Sequence, residues 1–341
     1  MEGSKMKEYD IEPGQEWEID LFRPEDGDGV VRLFLSVYGK GYPVNTYIDR
    51  GLLIDENAAG RIISSVARTS KGDIVGHDAL FCSAPCDRIR EAGAGVVHAS
   101  YRGGKGIFGR LVAHAMETGA KRFGVEAVYG ESVCNHVFSQ KMTQKLGWIT
   151  QAIEVDLMPA SAYEMEGSAT GRVSSLFDCI TLQSKPHSVF IPSCYEDALR
   201  FIYSGLDDSR EILVGQGKPA PGSTTRMEVQ YFDFAQVGRM AVREPGADFM
   251  QTFEAEEKKI AGRGGIVFQV WLNLACPGIG VAVDALRQRG YFLGGVLPRW
   301  FDTDGLLMQR IAKTPNWDSI QVQFDRAKRI LDLVKEDWKR T

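Results

Sequence analysis

Val97-His98-Ala99-Ser100-Tyr101-Arg102-Gly103-Gly104-Lys105-Gly106-Ile107-Phe108-Gly109 is the stretch on which the reading of this chain turns. A strand-like run over 93–99 enters it. A helical pattern leaves it at once, with Phe108, Leu111, Val112 and Ala115 at helical spacing over 107–123. Glycines let a ligand approach the backbone closely, because no Cβ intervenes. A turn that opens a helix leaves several N–H groups unpaired and aimed the same way. With the helix dipole they form an anion site. Arg102 and Lys105 add formal positive charge beside it. The pattern predicts a pyrophosphate cradle.

Three phosphate-loop readings and one ligand-free reading compete for this stretch. A Walker A loop is excluded, because Lys105 is followed by Gly106 and not by Ser or Thr. Gly104-Lys105-Gly106-Ile107-Phe108-Gly109 satisfies the dinucleotide fingerprint literally, with Glu126 at the end of a plausible next strand. That reading implies an NAD(P)-linked oxidoreductase, although a long and mostly β segment precedes the loop where a dinucleotide fold would normally begin. A glycine-rich turn with no ligand is the third reading, and an acyl-coenzyme A loop is the fourth.

Outward from the loop, the N-terminal side predicts a strand at 17–22, an amphipathic helix at 29–37 and a short helix near 48–54. Strands follow at 61–68 and 73–81, around the turn Ser70-Lys71-Gly72. On the C-terminal side come a buried strand at 125–129, a helix at 137–146 closed by Gly147, and strands at 149–157 and 173–182. Residues 184–187 read as a linker. Beyond it the patterns give helix 195–203, strand 226–234, helix 249–260 and strand 266–274. Helix 280–289, strands 291–296 and 305–310, and an amphipathic helix over 317–338 complete the chain. That last helix presents Ile320, Phe324, Ala327, Leu331, Val334 and Trp338 on one face.

The stretch 97–108 resembles the acetyl-CoA loop of the GNAT N-acetyltransferases, an Arg/Gln-x-x-Gly-x-Gly/Ala pattern after the fourth strand. The likeness continues downstream. Asn135 opens a helix running through Ser139-Gln140-Lys141 and ending Lys145-Leu146-Gly147-Trp148, similar to the family's Asn…Lys-Leu-Gly-Phe ending. The element order over 17–182 fits as well, so the resemblance covers about half the chain. Two departures stand out: one extra residue between Arg102 and Lys105-Gly106, and Thr143 where many members carry a tyrosine acid.

The resemblance implies an α/β (α+β) mixed-sheet GNAT fold and acetyl-CoA as co-substrate, without a metal. Val97 and His98 would pair with the pantetheine arm. The amides of Gly103, Gly104, Lys105, Gly106, Ile107 and Phe108, with Arg102, would hold the pyrophosphate, and Asn135 and Ser139 would line the other side of the cofactor cleft. Acetyl would pass directly to a small-molecule primary amine. Such transfer needs a base for the ammonium and an oxyanion donor at the thioester. Candidates are His98, at the end of the loop strand, and Glu131 and His136, which flank Asn135. A glutamate or histidine at a helix start is also a common cap. Cys134 is a poorer candidate, because direct transfer needs no nucleophile. His77 and His114 read as packed or solvated. A non-catalytic acyl-CoA-binding module is the alternative function.

The second half resembles a decayed copy of the first. Val270-Trp271-Leu272-Asn273 leads to a helix ending Leu286-Arg287-Gln288-Arg289-Gly290-Tyr291, an echo of Asn135 through Trp148. Arg243-Glu244-Pro245-Gly246-Ala247-Asp248 stands where a phosphate loop would precede its long helix, and that is a poor cradle. The expected organisation is therefore two GNAT-like domains in tandem: 1–187 binding acetyl-CoA, and 188–314 degenerate, shaping the substrate cleft or making a homodimer contact. Residues 315–341 form a C-terminal helix.

Composition agrees with a globular protein of two domains. Of 341 residues 44% are hydrophobic and 25% charged, and the net charge of −5 lacks the basic excess of a nucleic-acid binder. No run approaches the ~18 apolar residues of a membrane span. The N-terminus has no apolar h-region, which leads to the expectation of a cytoplasmic protein. The six cysteines are scattered as in a reducing compartment, and Cys82 and Cys86 with His77 lack a fourth metal ligand.

Overall fold

The computed structural model describes residues 10–39, 42, 44–103, 106–166, 169–206 and 208–341. By compactness the chain divides into a first unit, up to Ser83 with Asp87–Val128, and a second unit, Ala84–Cys86 with Tyr129–Thr341.

In the first unit an antiparallel meander places β1 (Trp17–Leu21), β2 (Ile62–Thr69), β3 (Ile74–Phe81) and β4 (Ile89–Val97) side by side. Adjacent residues on a strand face opposite ways, and the core follows that alternation. Val66, Ala79 and Val96 pack with Val30, Leu33 and Phe34 of α1 (Gly27–Tyr38) and Leu53 of α2 (Arg50–Ala58). Ala67 and Val75 pack on the other face with Ile107 and Leu111 of α3 (Ile107–His114). The helix expected as one α element over 107–123 widens into a π turn at Ala115–Ala120, where Gly119 lies against Ile63. The short helix expected near 48–54 starts later, because Asp49 caps it by accepting the Leu52 amide at 3.0 Å.

Within the second unit the strands run β5-β7-β6-β13-β14-β12-β11-β10. The chain enters through β5 (Ala127–Val133) and continues into α4 (Phe138–Lys145), β6 (Ile149–Met158) and β7 (Val173–Thr181). Later come α6 (Phe249–Gly262), β12 (Val267–Asn273), α7 (Ile279–Arg287), β13 (Phe292–Leu297) and β14 (Gly305–Ile311). Strand–helix–hairpin thus occurs twice, and each time the last strand inserts between the other two: β5-β7-β6 and β12-β14-β13. Corresponding strands β6 and β13 meet antiparallel at Ala152 and Gly295. β11 (Val237–Glu244) runs parallel to β12 and antiparallel to β10 (Arg226–Phe232).

Three strands escaped the sequence reading. β11 carries Arg239 and Arg243 among its apolar residues, which breaks the alternation. The parallel pair β8 (His187–Ile191) and β9 (Arg210–Val214) flanks α5 (Glu196–Tyr203), and β8 begins inside the expected linker. The final helix is α8 (Asp325–Trp338) alone, with Ala327, Ile330, Leu331 and Val334 buried. Ile320 and Phe324 lie between a 3-10 turn at Trp317–Ser319 and α8, because tertiary hydrogen bonds hold that stretch out of a helix. Gln321 donates its amide to the Cys134 carbonyl at 2.8 Å, and the Gln323 amide donates to Gln140 Oε1 at 3.0 Å.

The compact division falls inside β5 and not at 187. Ile153, Val155 and Leu176 of β6 and β7 share one hydrophobic core with Phe268, Val270, Leu293, Ile330 and Val334 from the C-terminal half.

Candidate functional site

In the first unit the glycine stretch leaves the end of β4. Arg102 folds back, and its Nε donates to the Val97 carbonyl at 2.9 Å. Tyr101 is buried; its hydroxyl donates to the Glu12 carbonyl at 2.7 Å and accepts the Gln15 amide at 3.1 Å, which pins the loop to the N-terminal segment. Gly103 and Gly106 adopt φ of 78° and 63°, a region that favours glycine. Among the described residues no heavy atom lies within 4 Å of where a Cβ would stand on either one. Gly106 is the N-cap of α3, with no side-chain cap, and the first helical bond runs from the Arg110 amide to its carbonyl at 3.1 Å. The amides of Ile107, Phe108 and Gly109 therefore precede the intrahelical ladder. Gly104 and Lys105 lie outside the described residues.

Phe108 anchors the helix start from below. A Cβ on Gly95 would come within 2.2 Å of its ring, so only glycine lets α3 settle on β4 there. Beside Gly95 the β3–β4 register slips, and Ala94 and Gly95 together oppose Asp78 as a β-bulge with Ala94 at φ 52°. His77 holds the bulge. Its Nδ1 lies 2.9 Å from the Ala94 carbonyl, which can only accept, so the ring proton sits on Nδ1, and Nε2 accepts from Ser64 Oγ at 3.0 Å. Burial pushes the His77 pKa down to about 4, so the ring is neutral and structural. His98 takes the other tautomer. Its Nδ1 accepts the Ser100 amide at 3.4 Å, which places the neutral ring's proton on Nε2.

The remaining candidates lie in the second unit. Glu131 on β5 is paired: Arg239 Nη2 stands 3.3 Å from its Oε1. At the start of α4, His136 Nδ1 and Ser139 Oγ are buried without a hydrogen-bond partner among the described residues. Buried polar atoms are usually hydrogen-bonded, to protein or to water, so these two are free to take a polar partner. Burial pushes the Cys134 thiol well up, so it is no nucleophile. Thr143 is buried, and its hydroxyl lies 2.9 Å from Asp178 Oδ2 and 3.1 Å from the Gln140 carbonyl. Its proton is committed inside the fold, and it does not replace the tyrosine acid that many GNAT sequences carry.

Sequence reasoning missed the residues that hold this segment. Besides its bond to Cys134, Gln321 donates its side-chain amide to the Asn135 carbonyl at 3.1 Å, and its own carbonyl accepts Gln140 Nε2 at 2.8 Å. No local pattern marks a glutamine so distant in the chain. Arg239 did leave a signal, as a cation among the apolar residues of β11.

The loop before α6 is closed by its own chain. The amides of Gly246 and Ala247 donate to Thr225 Oγ1 at 3.0 Å and to the Ser223 carbonyl at 2.9 Å. A Cβ on Gly246 would meet the Thr224 backbone at 2.5 Å. The amides that stand open at α3 are consumed at α6.

No protein-family model matches the chain. No curated protein matches it either. Among solved structures it is similar to an N-acetyltransferase from Staphylococcus aureus Mu50, at 18% identity and a TM-score of 0.41 over 49% of this chain and 99% of the other. It is similar as well to the ribosomal-protein-S18-alanine N-acetyltransferase of Escherichia coli, at 12% identity and a TM-score of 0.38 over 50% and 96%. The spermidine/spermine N-acetyltransferase SpeG of Vibrio cholerae aligns at 12% identity and a TM-score of 0.38 over 49% and 95%.

Proposed function

We propose that this protein is an acyl-CoA-dependent N-acyltransferase that passes acetyl from acetyl-CoA directly to a small primary amine. The observation that carries the reading is the open loop: two glycines at positive φ and an uncapped α3 start, with no heavy atom of the described residues within 4 Å of the glycine Cβ positions. Such a set of amides is complementary to a pyrophosphate. Glu131 is the acid–base candidate best supported, because its side chain is a quarter exposed and geometrically fixed. The second strand–helix–hairpin supports reading the C-terminal half as a GNAT-like copy, one whose own loop is closed by residues 223–225.

Thr143 favours a second reading, a module that binds acyl-CoA without turnover, since no acid stands there for the departing thiolate. Thermal unfolding with acetyl-CoA, CoA and NADH, each titrated separately, decides between ligands. A ligand at a hundred times its dissociation constant stabilises by about 2.7 kcal/mol. The expected result is a rise with both CoA species, lost in Gly106→Glu, and none with NADH. Thiol release from acetyl-CoA in the presence of amines then separates transferase from binding module.

A further inference from the structure

We propose that Arg239, from the C-terminal half, is the positioning residue for Glu131, holding that carboxylate fixed as the acid–base group; this rests on the acyltransferase reading. β5 and β11 lie six strand steps apart in the sheet order, about 29 Å in a flat sheet. Their side chains nevertheless meet at 3.3 Å, so the sheet of the second unit rolls over until β11 faces β5.

A polar row crosses that concave face. Arg239 and Gln269 are register partners on β11 and β12, and Gln269 and Gln309 on β12 and β14. Arg239 Nε donates to Gln269 Oε1 at 2.8 Å, and Gln269 Nε2 donates to Glu154 Oε1 at 2.7 Å. Gln309 bonds the β6 backbone on both sides of Glu154, accepting the Val155 amide and donating to the Ile153 carbonyl, each at 2.9 Å. The guanidinium lies over Phe232 and Trp271, at 5.3 Å from each ring. Its Nη2 reaches Glu131 at 3.3 Å and Glu154 at 3.5 Å.

Two carboxylates thus share one cation in a place largely removed from water. Without the cation the two carboxylates repel each other, and Glu131 loses the contact that fixes it. A lysine keeps the charge but cannot serve the Gln269 and carboxylate contacts together from one rigid plane. Arg239 therefore supplies both charge and aim. The polar row, costly in a sheet centre, delivers it across the unit.

The test uses the full-length protein and a panel of primary amines. In Arg239→Gln the kcat for thiol release falls at least tenfold at pH 7, while the KM for acetyl-CoA and the acetyl-CoA-induced rise in Tm stay near wild type. A kcat equal to wild type overturns the proposal. Should Arg239→Gln not fold, Arg239→Lys decides: kcat drops while the acetyl-CoA-induced rise in Tm stays, and unchanged turnover overturns the positioning role. Full turnover in Glu131→Gln removes Glu131 as the acid–base group, and with it this proposal. Absence of any acetyl-CoA response instead defeats the acyltransferase reading.

Discussion

His77 and Asp78 are neighbours on β3 whose pKa values burial moves in opposite directions, each towards its neutral form. The folded His77 pKa is about 4, against an ordinary value near 6.5. Its contribution is complete above pH 6.5 and is lost as the pH falls towards 4, because over that window the unfolded chain binds a proton that the folded one refuses. At about 1.4 kcal/mol per pH unit, the loss approaches about 3 kcal/mol. His77→Gln should flatten the stability profile between pH 6.5 and 4 relative to wild type, read by chemical denaturation at each pH; an unchanged slope would contradict the assignment. Asp78 is fully buried, and desolvation raises its pKa well above the usual carboxylate range. Here the folded state keeps the proton, so the group destabilises increasingly as the pH rises above about 4. Asp78→Asn should therefore raise the denaturation midpoint at pH 7 and leave it nearly unchanged at pH 3.5. None of this was legible in the sequence. A histidine and an aspartate on a strand look alike whether solvated or buried, and only the bulge at Ala94 and Gly95 decides their surroundings.

At the scale of elements, most of the fold could be read directly. The helical spacing before Gly147 and the apolar runs at β5, β6 and β12 predict elements that the structure contains. The failures share a cause, which is that tertiary contacts outweighed the local pattern. β11 hides behind its arginines, and the segment before α8 is drawn off its helix by Gln140 and Cys134. The contact of β6 with β13 depends on Gly295, at φ 135°. A Cβ there would fall 2.4 Å from the Gln151 carbonyl oxygen and 2.6 Å from the Ala152 side chain. Gly295→Ala should cost about 1–3 kcal/mol, since backbone cannot yield as a side-chain tip can. Urea unfolding measures it, and a midpoint equal to wild type would show that β6 and β13 do not touch at this register.

For the molecule as a whole, the sequence suggests a boundary at 187 and the compact units divide inside β5. The difference is physical: α4, β6 and β7 complete their core with residues from beyond 260. A fragment ending at 187 would expose Ile153, Val155 and Leu176 and lose the β13 neighbour of β6. It is expected to lack cooperative unfolding; a sharp two-state transition for fragment 1–187 would restore the sequence-based division. The duplicated strand–helix–hairpin also bears on ligand number, because one loop is open and its counterpart is closed by residues 223–225. Isothermal titration of the full chain with acetyl-CoA measures that number together with the affinity. The account predicts one site per chain, abolished by Gly106→Glu. Two sites, or binding that survives Gly106→Glu, would contradict it.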